Sequence, residues 1–178
     1  MEEWKKYKLG EITSKIGSGA TPKGGRDSYL GGNIALIRSQ NVLDFSFSKL
    51  GLAYINEVQA EKLSNVEVYE KDVLLNITGD SVARVCIVPN NVLPARVNQH
   101  VANDKVDYRY LLYYLQYIKP QLLSLSQGGA TRNALTKKMI EELEVKMPSK
   151  GIQKEIVSIL YALDSKIELN RRINDNLN

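Results

Sequence analysis

Five short segments of the sequence concentrate polar and basic side chains that can hydrogen-bond to the edges of DNA bases. Arginine and lysine pair with guanine through two hydrogen bonds, and asparagine and glutamine pair in the same way with adenine. Each segment alone is a weak signal, because loops are commonly rich in such residues. With two lysines that follow the last segment, the candidate DNA-binding residues are Thr21, Lys23, Arg38, Ser39, Gln40, Asn76, Thr78, Ser81, Arg84, Asn98, Gln99, Thr131, Arg132, Lys137 and Lys138.

Most of these candidates lie in the basic parts of the chain, whose 178 residues carry a net charge of +4. Residues 76–138 hold eight basic and three acidic side chains, and residues 1–40 hold seven and four. Residues 41–75 hold three and six. Basic side chains that neutralise DNA phosphates release counterions, so this distribution favours nucleic-acid binding. Lysines that only solvate a protein surface would give the same counts.

The sequence lacks the patterns of common catalytic sites. It contains no phosphate-binding loop, no Gly-x-Gly-x-x-Gly fingerprint and no Gly-x-Ser-x-Gly elbow. The methyltransferase tetrapeptides Asn-Pro-Pro-Tyr and Asp-Pro-Pro-Tyr are also missing. Asp72 and Asp80 have no second carboxylate at a spacing that indicates an acid–base pair, and we interpret Asp80 as a turn residue.

The chain has one cysteine and one histidine, which excludes an intrachain disulfide and a metal centre built from several such ligands. We interpret Cys86, between Val85 and Ile87, as an unreactive thiol in the core. We interpret His100 as a structural histidine rather than a general base. The sequence therefore predicts that this chain is not an enzyme and binds no metal and no cofactor of its own.

The composition is that of a soluble globular protein, with 43% hydrophobic and 25% charged residues. No apolar run approaches the ~20 residues that a membrane-spanning helix requires. The start, Met1-Glu2-Glu3-Trp4, lacks the apolar core of a secretion signal. We therefore expect a cytoplasmic protein that makes no membrane contact.

The residue pattern predicts an α+β fold, in which residues 1–150 form a domain with a mostly β core and short helices. Short apolar runs predict the strands, and Gly- and Pro-rich stretches predict loops at 17–25 and 128–133. Asn56, Asp107 and Thr136 are predicted helix N-caps. The predicted strands are 7–9, 34–37, 72–78, 83–88, 95–101 and 143–148, and the predicted helices are 56–64, 107–118 and 137–142.

Residues 151–178 predict one long helix with an apolar seam. Seven positions follow the alternating spacing of four and three residues that is typical of a coiled coil. Charged residues flank this seam on both sides, which favours a partner helix from another chain over docking on the same domain. Asparagines in such a seam cost stability but fix the pairing. The seam consists of Ile156, Leu160, Leu163, Ile167, Asn170, Asn174 and Leu177.

Several segments in this order resemble the specificity subunit of type I restriction–modification enzymes, over nearly the whole chain. The ending Lys-Ile-Glu-Leu-Asn-Arg-Arg-Ile-Asn at 166–174 is especially typical. The other matching segments are 4–11 (WKKYKLGE), 17–23 (GSGATPK), 72–88 (DVLLNITGDSVARVCIV), 97–101 (VNQHV), 110–115, 129–135 (GATRNAL) and the remainder of 147–178.

The resemblance implies a DNA target-recognition domain at 1–150, followed by a conserved spacer and dimerisation helix at 151–178. In that family a full subunit carries two such halves, whose helices pack antiparallel and separate two DNA-reading domains. Each domain reads one half of a bipartite target in double-stranded DNA. Methylation subunits, which bind S-adenosylmethionine, dock on this scaffold, and restriction subunits, which use ATP, complete the nuclease.

The sequence departs from the family pattern in its length and at two residues. It is about half as long as the resemblance implies, with one recognition domain and one helix. Ala83 stands where a glycine is usual, and Ile152 stands where glutamate often precedes Gln153. We therefore expect a homodimer that pairs through residues 152–177 and reads a palindromic bipartite site. Pairing with a different half-subunit, or a truncated subunit, are the alternatives.

Two other functions fit the sequence less well. A truncated assembly or interference protein would exchange into a complete restriction–modification complex or block it, and the helix would then matter more than the loops. A free-standing nuclease would need a cluster of carboxylates or metal ligands, which the sequence does not suggest.

Overall fold

The computed structural model describes residues 4–20, 22, 29, 31–97, 99–102, 106–128 and 133–177. The strands are β1 (Lys5–Lys8), β2 (Lys15–Ser18), β3 (Ile34–Ile37), β4 (Ala53–Ile55), β5 (Glu67–Val68), β6 (Val73–Leu75), β7 (Val85–Ile87), β8 (Ala95–Val97), β9 (Gln99–Ala102) and β10 (Glu144–Met147). The helices are α1 (Leu9–Ile12), α2 (Glu57–Glu61), α3 (Tyr108–Tyr117), α4 (Lys119–Gln127), α5 (Lys137–Glu141) and α6 (Lys150–Leu177). The α+β class is confirmed.

Two four-stranded sheets and one two-stranded ribbon form the β part of the described chain. The first sheet has the order β2-β9-β6-β7 and is antiparallel throughout. The second has the order β4-β3-β8-β5, in which β3 and β8 are parallel and the other pairs are antiparallel. The ribbon pairs β1 with β10.

The prediction of one strand over 95–101 was wrong. The segment forms β8 in the second sheet and β9 in the first sheet. The apolar and β-branched pattern is continuous through this segment, so the local sequence does not mark the change of sheet. Gly17 and Ser18 are likewise not loop residues, because they pair with His100 and Gln99 of β9.

The core consists of layers on both faces of the first sheet. Leu74 and Cys86 belong to the cluster that also contains Ile37 and Val97 of the second sheet. Their neighbours in β6 and β7, such as Val73, belong to the cluster that contains the apolar side of α3. This alternation follows from the two-residue period of a strand, and it leaves both faces of the first sheet covered.

Helix α3 begins where its cap predicts. The Asp107 carboxylate accepts hydrogen bonds from the backbone N–H groups of Arg109 and Tyr110, at 2.9 and 3.0 Å. The apolar face of α3, which includes Leu111 and Leu115, is buried against the core. Pro120 does not end the helical region, because it occupies the first turn of α4, where proline costs no hydrogen bond.

Helix α6 has 28 residues and is about 42 Å long at ~1.5 Å per residue. Its first turns are docked on the domain: Gln153 and Val157 are buried, and Gln153 donates to the Pro148 carbonyl and accepts from the Asp107 backbone N–H. Beyond residue 160 the helix leaves the core, and Leu163 and Ile167 are 53% and 50% exposed. None of the described helices combines the length and apolar character that crossing a membrane demands.

Candidate nucleic-acid interface

Polar segments that are far apart in sequence meet at one end of the two sheets. Because neighbours in the first sheet are antiparallel, β2 and β6 end where β9 and β7 begin. The parallel pairing of β3 and β8 places Ile37 beside Val97, and β9 follows β8 after one residue. The end of β3 therefore lies at the same place. We call this end the polar edge, and define it as residues 38–41, 48–52, 76–84 and 133–138.

The segment 38–41 turns sharply after β3 and is fixed by Asn41. The side chain of Asn41 is fully buried, and its Oδ1 accepts from the Arg38 backbone N–H at 3.0 Å. Its Nδ2 donates to the carbonyls of Ser48 and Leu50, at 2.9 and 3.3 Å. One buried amide thus holds this segment and the turn at 48–52 together. Such bonds are costly to leave unmade in a buried site.

Two candidates of this segment, one basic and one amide side chain, share a hydrogen-bond acceptor. The Arg38 guanidinium and the Gln40 amide both donate to the Gly51 carbonyl. Arg38 also lies over the Tyr29 ring, 5.8 Å from its centroid, while its Nε is buried and has no partner in the described residues. Ser39 and Gln40 are exposed. Both long side chains are therefore held in place before any ligand arrives.

Asn76 connects the segment after β6 to the segment after β3. It is 4% exposed, and its Nδ2 donates to the Ser39 carbonyl at 2.9 Å. Its backbone N–H and carbonyl bond to Arg84 and Ala83, which closes the turn between them. In this position Asn76 orients two polar segments, and a direct base contact by its amide would require these segments to separate.

The turn at 76–84 carries Thr78, Ser81 and Arg84 at the polar edge. Ala83 has a φ of +64° and is fully buried. Glycine adopts this left-handed conformation without steric cost, so the alanine at this position is strained rather than incompatible with the turn. Thr78 is exposed, and Ser81 and Arg84 are half-buried.

The segment that begins at Asn133 completes the polar edge. The Gly79 backbone N–H donates to the Asn133 carbonyl, and the Leu135 N–H donates to the Ile77 carbonyl at 2.7 Å. The Thr136 hydroxyl then caps α5 by accepting from the Met139 N–H, as predicted. Lys137 and Lys138 are exposed at the start of this short helix, and Lys137 pairs with Glu141.

Nine of the 15 predicted DNA-binding residues lie at the polar edge: Arg38, Ser39, Gln40, Asn76, Thr78, Ser81, Arg84, Lys137 and Lys138. Gln99 begins β9 at the same end of the first sheet. Thr21, Lys23, Asn98, Thr131 and Arg132 lie outside the described residues. The residue pattern did not predict the turn at 48–52, whose signal is the short polar stretch Ser48-Lys49 before Gly51.

The acidic side chains Asp44 and Asp72 do not form a catalytic pair. Burial acts to raise the pKa of Asp44, but hydrogen bonds from Lys119 and Gln116 outweigh it and lower that pKa. Burial raises the pKa of Asp72 to about 6, but Asp72 precedes β6 at the opposite end of the sheet. In the described ranges no group of three His, Cys, Asp or Glu side chains could hold a metal ion.

The lone cysteine lies in the core between the two sheets. Cys86 is fully buried, and burial raises the pKa of its thiol to about 12. A thiol reacts as its thiolate, so Cys86 has no reactive form near neutral pH. The side chain of His100 lies outside the described residues.

A cleft of about 630 Å³ separates the domain from the distal part of α6. The Tyr113 hydroxyl donates to the Asp164 carboxylate at 2.6 Å, and the Arg109 guanidinium stacks on the Tyr161 ring at 4.0 Å. These contacts fix the direction in which α6 leaves the domain. The seam residues Leu163 and Ile167 remain half exposed, whereas Ile156 packs partly against the core.

The family model described as "Type I restriction modification DNA specificity domain" matches residues 1–178. A protein of Methanocaldococcus jannaschii named for the MjaX specificity subunit of a type I restriction enzyme is 29% identical over 96% of this chain and 39% of its own length. The MjaIX specificity subunit of the same organism is 25% identical over 98% of this chain and 41% of its own length. The HindI specificity subunit of Haemophilus influenzae is 24% identical over 99% of this chain and 39% of its own length.

Solved structures share the fold. The HsdS subunit of Thermoanaerobacter tengcongensis superposes with a TM-score of 0.68 at 18% identity, over 96% of this chain and 40% of that one. The S subunit of a type I restriction–modification system from M. genitalium gives a TM-score of 0.65 at 15% identity, over 96% of this chain and 41% of that one. The chain thus spans about two fifths of the length of the relatives that it matches.

Proposed function

Because this chain belongs to the type I restriction–modification DNA specificity family, we propose that its polar edge reads one half of a bipartite target in double-stranded DNA. One observation carries the proposal: segments predicted to bind DNA, separated by up to about 100 residues in sequence, meet at one end of two sheets. A fold that only solvated these side chains would have no reason to gather them there.

The side chains at the polar edge suggest a division of roles. Arg38, Gln40 and Arg84 carry the donors and acceptors that distinguish base edges. Lys137 and Lys138 are exposed point charges suited to phosphates, which position a protein without reading sequence. Asn41 and Asn76 are buried and orient the segments that carry the first group.

We propose further that this chain performs no catalysis itself. Methylation subunits that bind S-adenosylmethionine would dock on it, and restriction subunits that use ATP would join the complex indirectly. In that arrangement the chain contributes rigid orientation and no reacting group. The buried, unreactive thiol of Cys86 is compatible with this role.

The exposed part of the seam supports a homodimer as the source of the second recognition domain. Leu163 and Ile167 are each about half exposed, and charged residues flank them. A two-fold axis across this part of α6 would pair the same surface in both copies and place the two polar edges in inverted orientation. The expected target is then a palindromic pair of half-sites.

Adenine methylation across a genome tests the function. Cells that contain this chain with a methylation subunit should methylate a bipartite motif that disappears when the chain is removed. The variant Arg84→Gln should change the preference at one position of the motif by about 1–3 kcal/mol. The control Arg171→Gln alters a similar arginine on the distal helix and should leave the motif unchanged.

The outcomes separate the parts of the proposal. Two inverted copies of one half-site would support the homodimer, and two unlike half-sites would favour a second recognition partner. A methylation pattern that does not depend on the chain would contradict the specificity function.

A further inference from the structure

The turn at 48–52 presents an apolar side chain at the polar edge. Leu50 is 86% exposed, the largest exposed fraction among the large apolar side chains in the described part of the chain. A single exposed leucine is ordinary on a protein surface and by itself indicates nothing. The backbone that carries Leu50 and the place where it lies are what distinguish it.

The backbone of this turn is fixed from two sides. Asn41 donates to the carbonyls of Ser48 and Leu50, and the Leu50 N–H donates to the Ser48 hydroxyl at 3.3 Å. The Leu52 N–H closes the turn by donating to the Lys49 carbonyl at 3.0 Å. These backbone groups of the turn are therefore bonded within the domain, and Lys49 and Leu50 present its exposed side chains.

The tip of the turn favours a glycine. Gly51 has a φ of +64°, and a Cβ at this position would lie 2.8 Å from the Gln40 Nε2. Its carbonyl accepts from both Arg38 and Gln40. The side chains of Arg38 and Gln40 therefore brace the tip of the turn and lie directly beside it.

The register of the second sheet places this tip at the polar edge. Leu36 of β3 pairs with Ala53 of β4, so the chain just before β4 lies beside the chain just after β3. Leu50 therefore stands next to the two side chains, Arg38 and Gln40, that we assign to base reading. Lys49, which is also exposed, precedes it.

Base edges in the major groove present one apolar group, the C5 methyl of thymine. We propose that Leu50 contacts the C5 methyl of a thymine in the half-site, while Lys49 lies against a phosphate beside it. A rigid turn can enforce such a contact, because no ordering of the backbone opposes binding. The inference rests on the proposed function and adds an apolar contact to the polar ones that the sequence predicts.

Deoxyuridine differs from thymidine only by lacking the C5 methyl, so it tests the contact with that methyl group alone. The experiment uses the full chain with its methylation subunits and a duplex that carries the methylated motif, in which each thymine is replaced in turn by deoxyuridine. With the unaltered chain, one replacement should lower the affinity about three- to tenfold. With Leu50→Ala, the thymine duplex should bind with the same loss and the replacement should have no further effect.

Matched controls separate this contact from folding and from general binding. Val58→Ala shortens another exposed apolar side chain, 61% exposed at the start of α2, and should keep the full response to deoxyuridine. Lys49→Ala should weaken the thymine and deoxyuridine duplexes equally and reduce the salt dependence of binding.

Two results would overturn the inference. In one, no deoxyuridine replacement in the half-site lowers the affinity of the unaltered chain. In the other, Leu50→Ala keeps the same response to deoxyuridine as the unaltered chain. In either case, if the unaltered chain binds the motif duplex more tightly than a scrambled duplex, the proposed function stands while the role of Leu50 fails. Equal binding of the two duplexes by the unaltered chain would contradict the proposed function itself.

Discussion

The polar edge and the distal half of α6 are both exposed, but they expose opposite chemistry on differently supported backbones. At the polar edge, buried amides such as that of Asn41 lock the segments that present polar side chains. In the distal helix, the backbone bonds only within itself and apolar side chains such as Leu163 face outward. The first arrangement suits discrimination between similar ligands, and the second suits association with another apolar helix.

The largest expected effect is the difference in free energy of unfolding when asparagine is replaced by alanine in each of the two regions. Asn41→Ala removes three side-chain hydrogen bonds from a fully buried position and leaves their backbone partners unpaired. We expect a loss of about 3 kcal/mol in the free energy of unfolding, measured in urea.

The matched control for that prediction is Asn170→Ala on the exposed helix. At concentrations too low for dimerisation Asn170 is exposed, and alanine favours helix over asparagine only slightly, so the free energy of unfolding should change by less than about 1 kcal/mol. Similar losses in the two variants would show that the polar edge is not locked as described.

A charge placed in the seam should separate association from folding. Ile167→Lys puts an ammonium group among the apolar seam residues, and we expect the dissociation constant of the homodimer to rise more than about thirtyfold, near 2 kcal/mol. Unfolding of the domain should be unchanged, because Ile167 is half exposed. Analytical ultracentrifugation across a dilution series measures the effect.

The control Ser165→Lys introduces the same charge on the opposite side of the helix and should leave the association intact. If the unaltered chain is a monomer at tens of micromolar, the homodimer is excluded. The second recognition domain would then come from a different chain or from a further part of the same protein.

Acidity should affect stability through a residue that belongs to neither region. Burial raises the pKa of Asp72 from an ordinary 3.8 to about 6, although the Tyr69 backbone N–H and the nearby Lys15 act to lower it. The folded state therefore binds the proton more tightly than the unfolded state, and this contribution stabilises the fold as the pH falls. Between pH 7 and pH 5 we expect a gain of about 1 kcal/mol.

This gain is measured as the difference between the unaltered chain and Asp72→Asn in how the free energy of unfolding changes with pH, because other groups also titrate in this range. The variant should lack this part of the pH dependence and keep the DNA preference, since Asp72 lies at the opposite end of the sheet from the polar edge. Identical pH profiles of unfolding would contradict the burial of an ionisable Asp72.

The smallest effect concerns phosphate contacts. Lys137→Ala at the polar edge should weaken binding to every DNA sequence alike and reduce the slope of log affinity against log salt by about one. Lys166→Ala removes the same charge from the distal helix and should leave the slope unchanged. A change of sequence preference in Lys137→Ala would assign this lysine to base reading instead.

The sequence was informative where a local pattern has one physical cause. The N-caps Asn56, Asp107 and Thr136 all begin helices, because their side chains accept from backbone N–H groups of the first turn. The long helix was also predicted, although it begins at Lys150 rather than residue 151. The division into domains at 1–150 and 151–178 stays a prediction.

Pairing between distant segments was not predictable in the same way. The change of sheet between β8 and β9, the helix α4 that contains Pro120 and the gathering of the polar segments depend on long-range contacts. The roles of Asn41 and Asn76 depend on burial, which no local pattern reveals for asparagine. The predicted DNA contacts therefore remain predictions, but the structure gives most of the described ones a common location.

The ribbon of β1 and β10 has a consequence for how this architecture can be rearranged. Lys5 pairs with Met147 and Lys8 with Glu144, so the chain enters and leaves the domain at neighbouring points beside the start of α6. The whole segment between β1 and β10, including the polar edge, therefore begins and ends at neighbouring points. Such a segment can be exchanged for another, or joined in tandem, without moving the helix. Under the proposed function, recombination at the ribbon would give new sequence preferences while the position of the helix is inherited unchanged.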